Sequence, residues 1–187
     1  MKRGIPWNAS FLHFLIGANM SVYIHGGLRT PIGVLNGQYR NMRPEMLGAQ
    51  LIDELIKRYD ISQVDGIFCG NAVGTGGNIG RLMGLMTNLP NSVSAITVDM
   101  QCASALMSIE MAYTHIASGV MDSAIAGGIE SSSLQPDRMY AANDDRKGLY
   151  KVAQFSPQDC SPLAMLEGAE RTIQKHNVLR SEEHTSE

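Results

Sequence analysis

Between residues 22 and 128, short runs rich in β-branched residues alternate with segments of helical period, and this alternation limits the fold more than any other feature. VYIHGG (22–27), VDGIFCGNAV (64–73), SAITVDM (94–100) and DSAIAGG (122–128) read as strands. PEMLGAQLIDELIKRY (44–59) sets Met46, Leu47, Leu51, Leu55 and Ile56 at helical spacing, with its charges on the other side. NIGRLMGLMTNLP (78–90) is a second helix stopped at Leu89-Pro90, and CASALMSIEMAYTHIASG (102–119) a third, closed by Gly119. RTPIG (29–33) is a turn in which Pro31 fixes φ. Strand and helix in turn predict an α/β layer with a largely parallel sheet. Past Gln135 the pattern is lost: residues 136–162 are polar, carry three prolines and read as an excursion from the core fold.

A chain of 187 residues, 44% apolar and 18% charged, has the material for a core of one domain and part of another. The net charge of −3, with no basic stripe, argues against a nucleic-acid partner. The apolar runs fall short of the roughly 18–20 residues that a membrane span needs. Cys69, Cys102 and Cys160 are an odd number in no metal-ligand spacing, which disfavours a disulfide framework and a metal site and fits reduced cytoplasmic thiols.

Both ends read as foreign to the middle. Residues 1–19 carry a basic start and the apolar FLHFLIGA, but His13 interrupts that run and no small-residue cleavage site follows, so the expectation is a leader or translated upstream sequence, with Met20 opening the protein proper. RSEEHTSE (180–187) resembles the conceptual translation of a sequencing adapter, which makes Leu179 the last genuine residue.

Cys102 stands where a strand gives way to a helix whose apolar residues, Leu106, Met107, Ile109, Met111, Tyr113 and Ile116, reach around most of its circumference. Such a helix is expected inside, packed on more than one side. Its N-terminus offers free N–H groups and the positive end of a dipole, a setting that favours a thiolate. Ala103, Ser104 and Ala105 leave room for a substrate. Spacing alone supports a nucleophile and a space-filling thiol equally.

Several ordered motifs then break the tie. RTPIG (29–33), GNAVGTGGNIGR (70–81), LPNSVSAITVDMQCASAL (89–106), HIASG (115–119), AIAGGIESSS (124–133) and MLEGAE (165–170) together resemble the N-terminal part of a thiolase, over Ser21 to about Thr172. The resemblance implies a layered α/β fold, the N-terminal half of a duplicated βαβαβαββ unit followed by the start of a loop domain. It implies that residues 20–135 form the α/β domain and 136–179 the start of a coenzyme A-binding loop domain. It further implies that Cys102 is the acylated nucleophile, that GGIES supports the floor of the site and that Met165 lines the acyl pocket. Arg138, Arg146, Lys147 and Lys151 are then candidates for the phosphates of coenzyme A, against the alternative of a solvated surface.

The implied activity is transfer of an acyl group, through an acyl-enzyme, to coenzyme A or to a second acyl-CoA. Acyl-CoA is the partner, coenzyme A comes and goes as substrate or product with no permanently bound cofactor, and the intact protein is expected to be a cytoplasmic homodimer or homotetramer. Departures accompany the match: Ala105 replaces the glycine usual three residues after the nucleophile, Ser132 a frequent methionine, and Leu166 the glycine after Met165. The histidine and second cysteine of the family's second half have no counterpart here, so the chain alone is expected to be inactive. A decarboxylating condensing enzyme of ketoacyl-synthase type, or a non-catalytic assembly piece, are the alternatives. GNAVGTGGNIGR lacks the Lys-Ser/Thr of a phosphate loop, and its glycines are read as tight turns. Cys69 is read as a core residue.

Overall fold

The computed structural model describes residues 9–16, 21–74, 76–150, 154, 161 and 163–178. The chain divides after Pro136 into two units. In the first, the elements are β1 (Ala9–Ile16), β2 (Val22–Arg29), α1 (Pro44–Arg58), β3 (Gly66–Gly70), α2 (Ile79–Met86), β4 (Ser94–Val98), a 3-10 turn (Gln101–Ala103), α3 (Ser104–Ala117) and β5 (Ser123–Ile129). The α/β class and the expected strand–helix succession hold, with each boundary within a few residues.

The five strands form one mixed sheet in the order β2-β1-β5-β3-β4. β3 pairs parallel with both β4 and β5, and β1 runs antiparallel to both β2 and β5. Right-handed crossovers explain the layering. The chain moves in one direction along the sheet from β2 to β3 to β4, which puts α1 and α2 on one face; it then turns back to β5, and α3 covers the other face.

Each face has its own core. Leu47, Leu51, Ile52 and Leu55 of α1 meet Phe11, Ile67, Ile79, Met83 and Ile125 on one side; Phe14, Phe68, Ala112, Ile116, Ala124 and Ala126 pack on the other. Strands β3 and β5 are buried on both faces, which is why GIFCG and SAIAGGI read as continuous apolar runs without alternation. Local signals set the helix starts: Pro44 opens α1, and the Asn78 side chain caps α2 by accepting from the Arg81 N–H at 3.0 Å.

Three readings change. Residues 9–16, set apart from the domain by sequence, form β1 near the middle of the sheet, with Phe11 fully buried. His13, which interrupts the apolar run, has a polar partner inside, the Ser123 hydroxyl at 2.9 Å. Among the described residues helix α3 is covered on one side: Ser104, Ser108, Ala112 and Ile116 pack on the sheet while Leu106 and Tyr113 stand 67% and 54% exposed. One sheet face covers only one stripe of a helix, so its remaining apolar surface faces outward. The third change is in the second unit, where the polar excursion contains the hairpin β6 (Arg138–Met139) and β7 (Leu149–Tyr150), and α4 (Ala164–His176) follows.

Candidate active site

The carboxyl ends of parallel strands, where the order of connection reverses, are where open α/β sheets bind ligands. Here β3 ends at Gly70, β5 ends at Ile129, and the turn after β4 lies beside them. They enclose a cleft of about 350 Å³ that includes Gly70, Asn71, Cys102, Ala105, Gly128 and Glu130, with Ser10 of β1 on its wall.

Cys102 sits in the middle of the 3-10 turn rather than on the first residue of α3, and is exposed. The residue before it, Gln101, has φ +53°, a left-handed conformation that costs a non-glycine residue energy and is retained where surrounding bonds enforce it. Those bonds are present. The Asp99 carboxylate accepts from the Gln101 N–H at 2.9 Å, the Ser104 hydroxyl accepts from the Met100 N–H at 2.8 Å, and the same hydroxyl donates to the Gln101 carbonyl at 2.6 Å. Asp99 and Gln101 drew no notice in the sequence and Ser104 counted only as a small neighbour of the cysteine; an Asp two residues before Gln101 and a Ser three after it were the available signals.

The floor is a close contact of backbones. A Cβ on Gly70 would lie 2.5 Å from the Ala105 nitrogen, and one on Gly128 would lie 3.0 Å from the Ala105 Cβ. Glycines on the two strands thus make the room that Ala105 takes up.

Opposite the cysteine, Glu130 holds the loop after β3. One carboxylate oxygen accepts from the Ala72 and Val73 N–H groups at 3.0 and 2.8 Å; the other accepts from the Asn71 side chain and the Ser131 N–H, both at 3.2 Å. With both oxygens occupied, Glu130 is an anchor of the loop rather than a free base. Gly76 and Gly77 farther along that loop have φ +78° and +71°, which fits the reading of tight turns.

Cys69 is fully buried, and burial, followed by the Glu130 charge, pushes its thiol up to about 12, so it stays protonated and inert. Met165 lies in the first turn of α4, in the second unit, with its side chain 74% exposed. Arg146 is engaged with Asp144 at 2.7 Å and stacks 4.3 Å above the Tyr140 ring. Cys160 and Lys151 lie outside the described residues. No described helix is long and apolar enough to cross a membrane.

The site thus sets a cysteine on a bonded strand-to-helix turn, at the switch point of a layered α/β sheet. The chain belongs to the thiolase family: the model of the thiolase N-terminal domain matches residues 22–184. It is 34% identical over 158 residues to "Putative acetyl-CoA C-acetyltransferase VraB" of Staphylococcus aureus (strain COL), covering 81% of this chain and 41% of that protein. It is 36% identical over 162 residues to "Putative acetyl-CoA C-acetyltransferase YhfS" of Bacillus subtilis (strain 168), covering 87% and 41%. The chain therefore spans about two fifths of the length of these curated relatives. The solved acetyl-CoA acetyltransferase of Bacillus anthracis shares the fold, with a TM-score of 0.65 at 20% identity, over 95% of this chain and 42% of that one.

Proposed function

We propose that Cys102 is the acyl-carrying nucleophile of an acyl-CoA acyltransferase of thiolase type. The observation that carries this reading is the bonded turn around Gln101, which holds an exposed sulfur in a cleft just ahead of a helix N-terminus. The Cys102 thiolate attacks the thioester carbonyl of an acyl-CoA; the new carbon–sulfur bond forms as the bond to coenzyme A breaks, and coenzyme A leaves as a thiolate that takes up a proton. The acyl group then passes to a coenzyme A thiol, or to the α-carbon of a second acyl-CoA after that carbon loses a proton.

The chain holds one part of this machinery. By resemblance, a histidine and a second cysteine that handle the protons come from the second half, so residues 1–187 alone turn over acyl-CoA poorly. Met165 as an acyl-pocket residue, the basic residues of the second unit as contacts for coenzyme A phosphates, the absence of a permanent cofactor and a cytoplasmic location belong to the same proposal. So does a homodimer or homotetramer, for which β4, an edge strand of the sheet with Ile96 40% exposed, supplies a surface that favours pairing.

The test is activity in the protein extended to the length of its relatives, with acetyl-CoA as substrate. Cys102→Ser is expected to lose at least a thousandfold in kcat with its fold retained, and Cys69→Ser to keep most of it. Full activity in Cys102→Ser overturns the proposal.

A further inference from the structure

At the other end of the sheet a polar cluster lies between strands, with His13 buried and His25 exposed, and it involves β1, which lies outside the family match that begins at residue 22. β1 and β2 pair with a bulge: His13 faces Gly26 and Phe14 faces Ile24, so His25 is the extra residue. A bulge re-aims the side chain it carries. The result is a bond between the Nδ1 atoms of His13 and His25 at 3.1 Å, while His13 Nε2 lies 2.9 Å from the Ser123 hydroxyl of β5. His13 itself is 3% exposed.

The protons in this chain can be assigned. Ser123 gives its single hydroxyl proton to the Gln63 carbonyl at 2.6 Å, so it must accept from His13 Nε2–H. His13 Nδ1 is then a bare lone pair, and His25 Nδ1–H donates to it. A neutral His13 satisfies every bond. A protonated one places a charge where the side chain is 3% exposed and, whenever His25 also carries Nδ1–H, turns two N–H groups toward each other at the β1–β2 joint. The burial of His13, followed by the neighbouring His25, pushes its pKa down to about 4, in keeping with this geometry.

The other charged and titratable groups around the pair are Tyr59 and Asp60 after α1, and Asp65 and Asp122 flanking Ser123; His115 of α3 packs on Phe68. Asp60 and Asp122 line the same cavity as the pair, of about 180 Å³. Among the described residues no group of three or more His, Cys, Asp and Glu gathers to hold a metal ion.

We infer that β1 is a proton-latched strand: His13 and His25 fasten it between β2 and β5 while His13 is neutral, and acid unfastens it. Ser10, three residues along β1 and so about 10 Å away, stands on the wall of the Cys102 cleft, so unlatching loosens that wall. The latch is independent of whether Cys102 carries an acyl group.

Amide exchange of the full chain, followed by mass spectrometry and corrected for intrinsic rates, tests it. Between pH 7 and pH 4.5 the protection of residues 9–16 is expected to fall at least tenfold while that of residues 66–70 changes less than threefold. His13→Gln, which donates and accepts without titrating, is expected to remove the pH dependence. Loss of protection in step at both strands, or an unchanged profile in His13→Gln, overturns the inference. Should His13→Gln fail to fold, His25→Ala decides: without the neighbouring imidazole the midpoint is expected to rise by at least half a pH unit, and an unmoved midpoint overturns the latch.

Discussion

The two ends of one sheet handle their reactive side chains in opposite ways. At the carboxyl end, Cys102 is exposed in a cleft and the bonds go to the backbone around it: Asp99, Ser104 and Glu130 fix turns and leave the sulfur itself uncommitted. At the amino end, His13 is buried and both ring nitrogens are committed to named partners. The same polar atoms can hold a scaffold still around a reactive group or silence the group itself. Buried Cys69, in β3 and only one residue from the cleft's Gly70, shows that the choice is made by burial and not by residue type.

The sharpest way to break this contrast is to move the floor of the cleft. In Gly70→Ala the new methyl group meets the backbone of Ser104 and Ala105 at 2.5 Å, so the start of α3 must shift. A stability loss of about 3 kcal/mol in urea unfolding is expected, with a changed rate of Cys102 alkylation. Glu130→Gln is milder. It replaces one acceptor oxygen by an NH₂ group that faces N–H donors, for which about 2 kcal/mol and faster exchange at Ala72 and Val73 are expected.

At the amino end the effect is pH-dependent. The folded-state pKa of His13 lies near 4, below its ordinary value of 6.5, so in that interval the unfolded chain binds the proton and the folded chain does not. The contribution of neutral His13 is therefore fully present above pH 6.5, is lost as pH falls toward 4, and levels off below. The urea midpoint should follow that course, and should follow it less in His13→Gln. Smallest of all is Arg58→Ala, which removes an exposed pair with Glu54 at 2.7 Å on α1, just before Tyr59; at most about 0.5 kcal/mol is expected, at either end of the pH range.

The same contrast explains what the sequence disclosed. Elements whose signal is local were legible: Pro44 and Leu47/Leu51/Leu55 for α1, the buried run GIFCG for β3, and Cys102 between strand and helix. Features made by long-range contact were not. β1 pairs on one side with its chain neighbour β2 but on the other with Ser123 to Ile129, far along the chain, and an apolar octapeptide with a histidine gives no hint of that second partner. The role of Glu130 was legible only as part of GGIES, because its donors Ala72 and Val73 act through backbone N–H groups that carry no sequence signature. The outward face of α3 misled for a related reason: Leu106 and Tyr113 are apolar wherever they point, and composition does not say which face is covered.

The most direct measurement is the mass of the peptides containing Cys102 and Cys69 after brief exposure of the full-length protein to acetyl-CoA and an acid quench. One acetyl group on the Cys102 peptide, none on the Cys69 peptide, and loss of the label when coenzyme A is added before the quench are the predicted result. An unmodified Cys102 peptide during observed turnover contradicts the account.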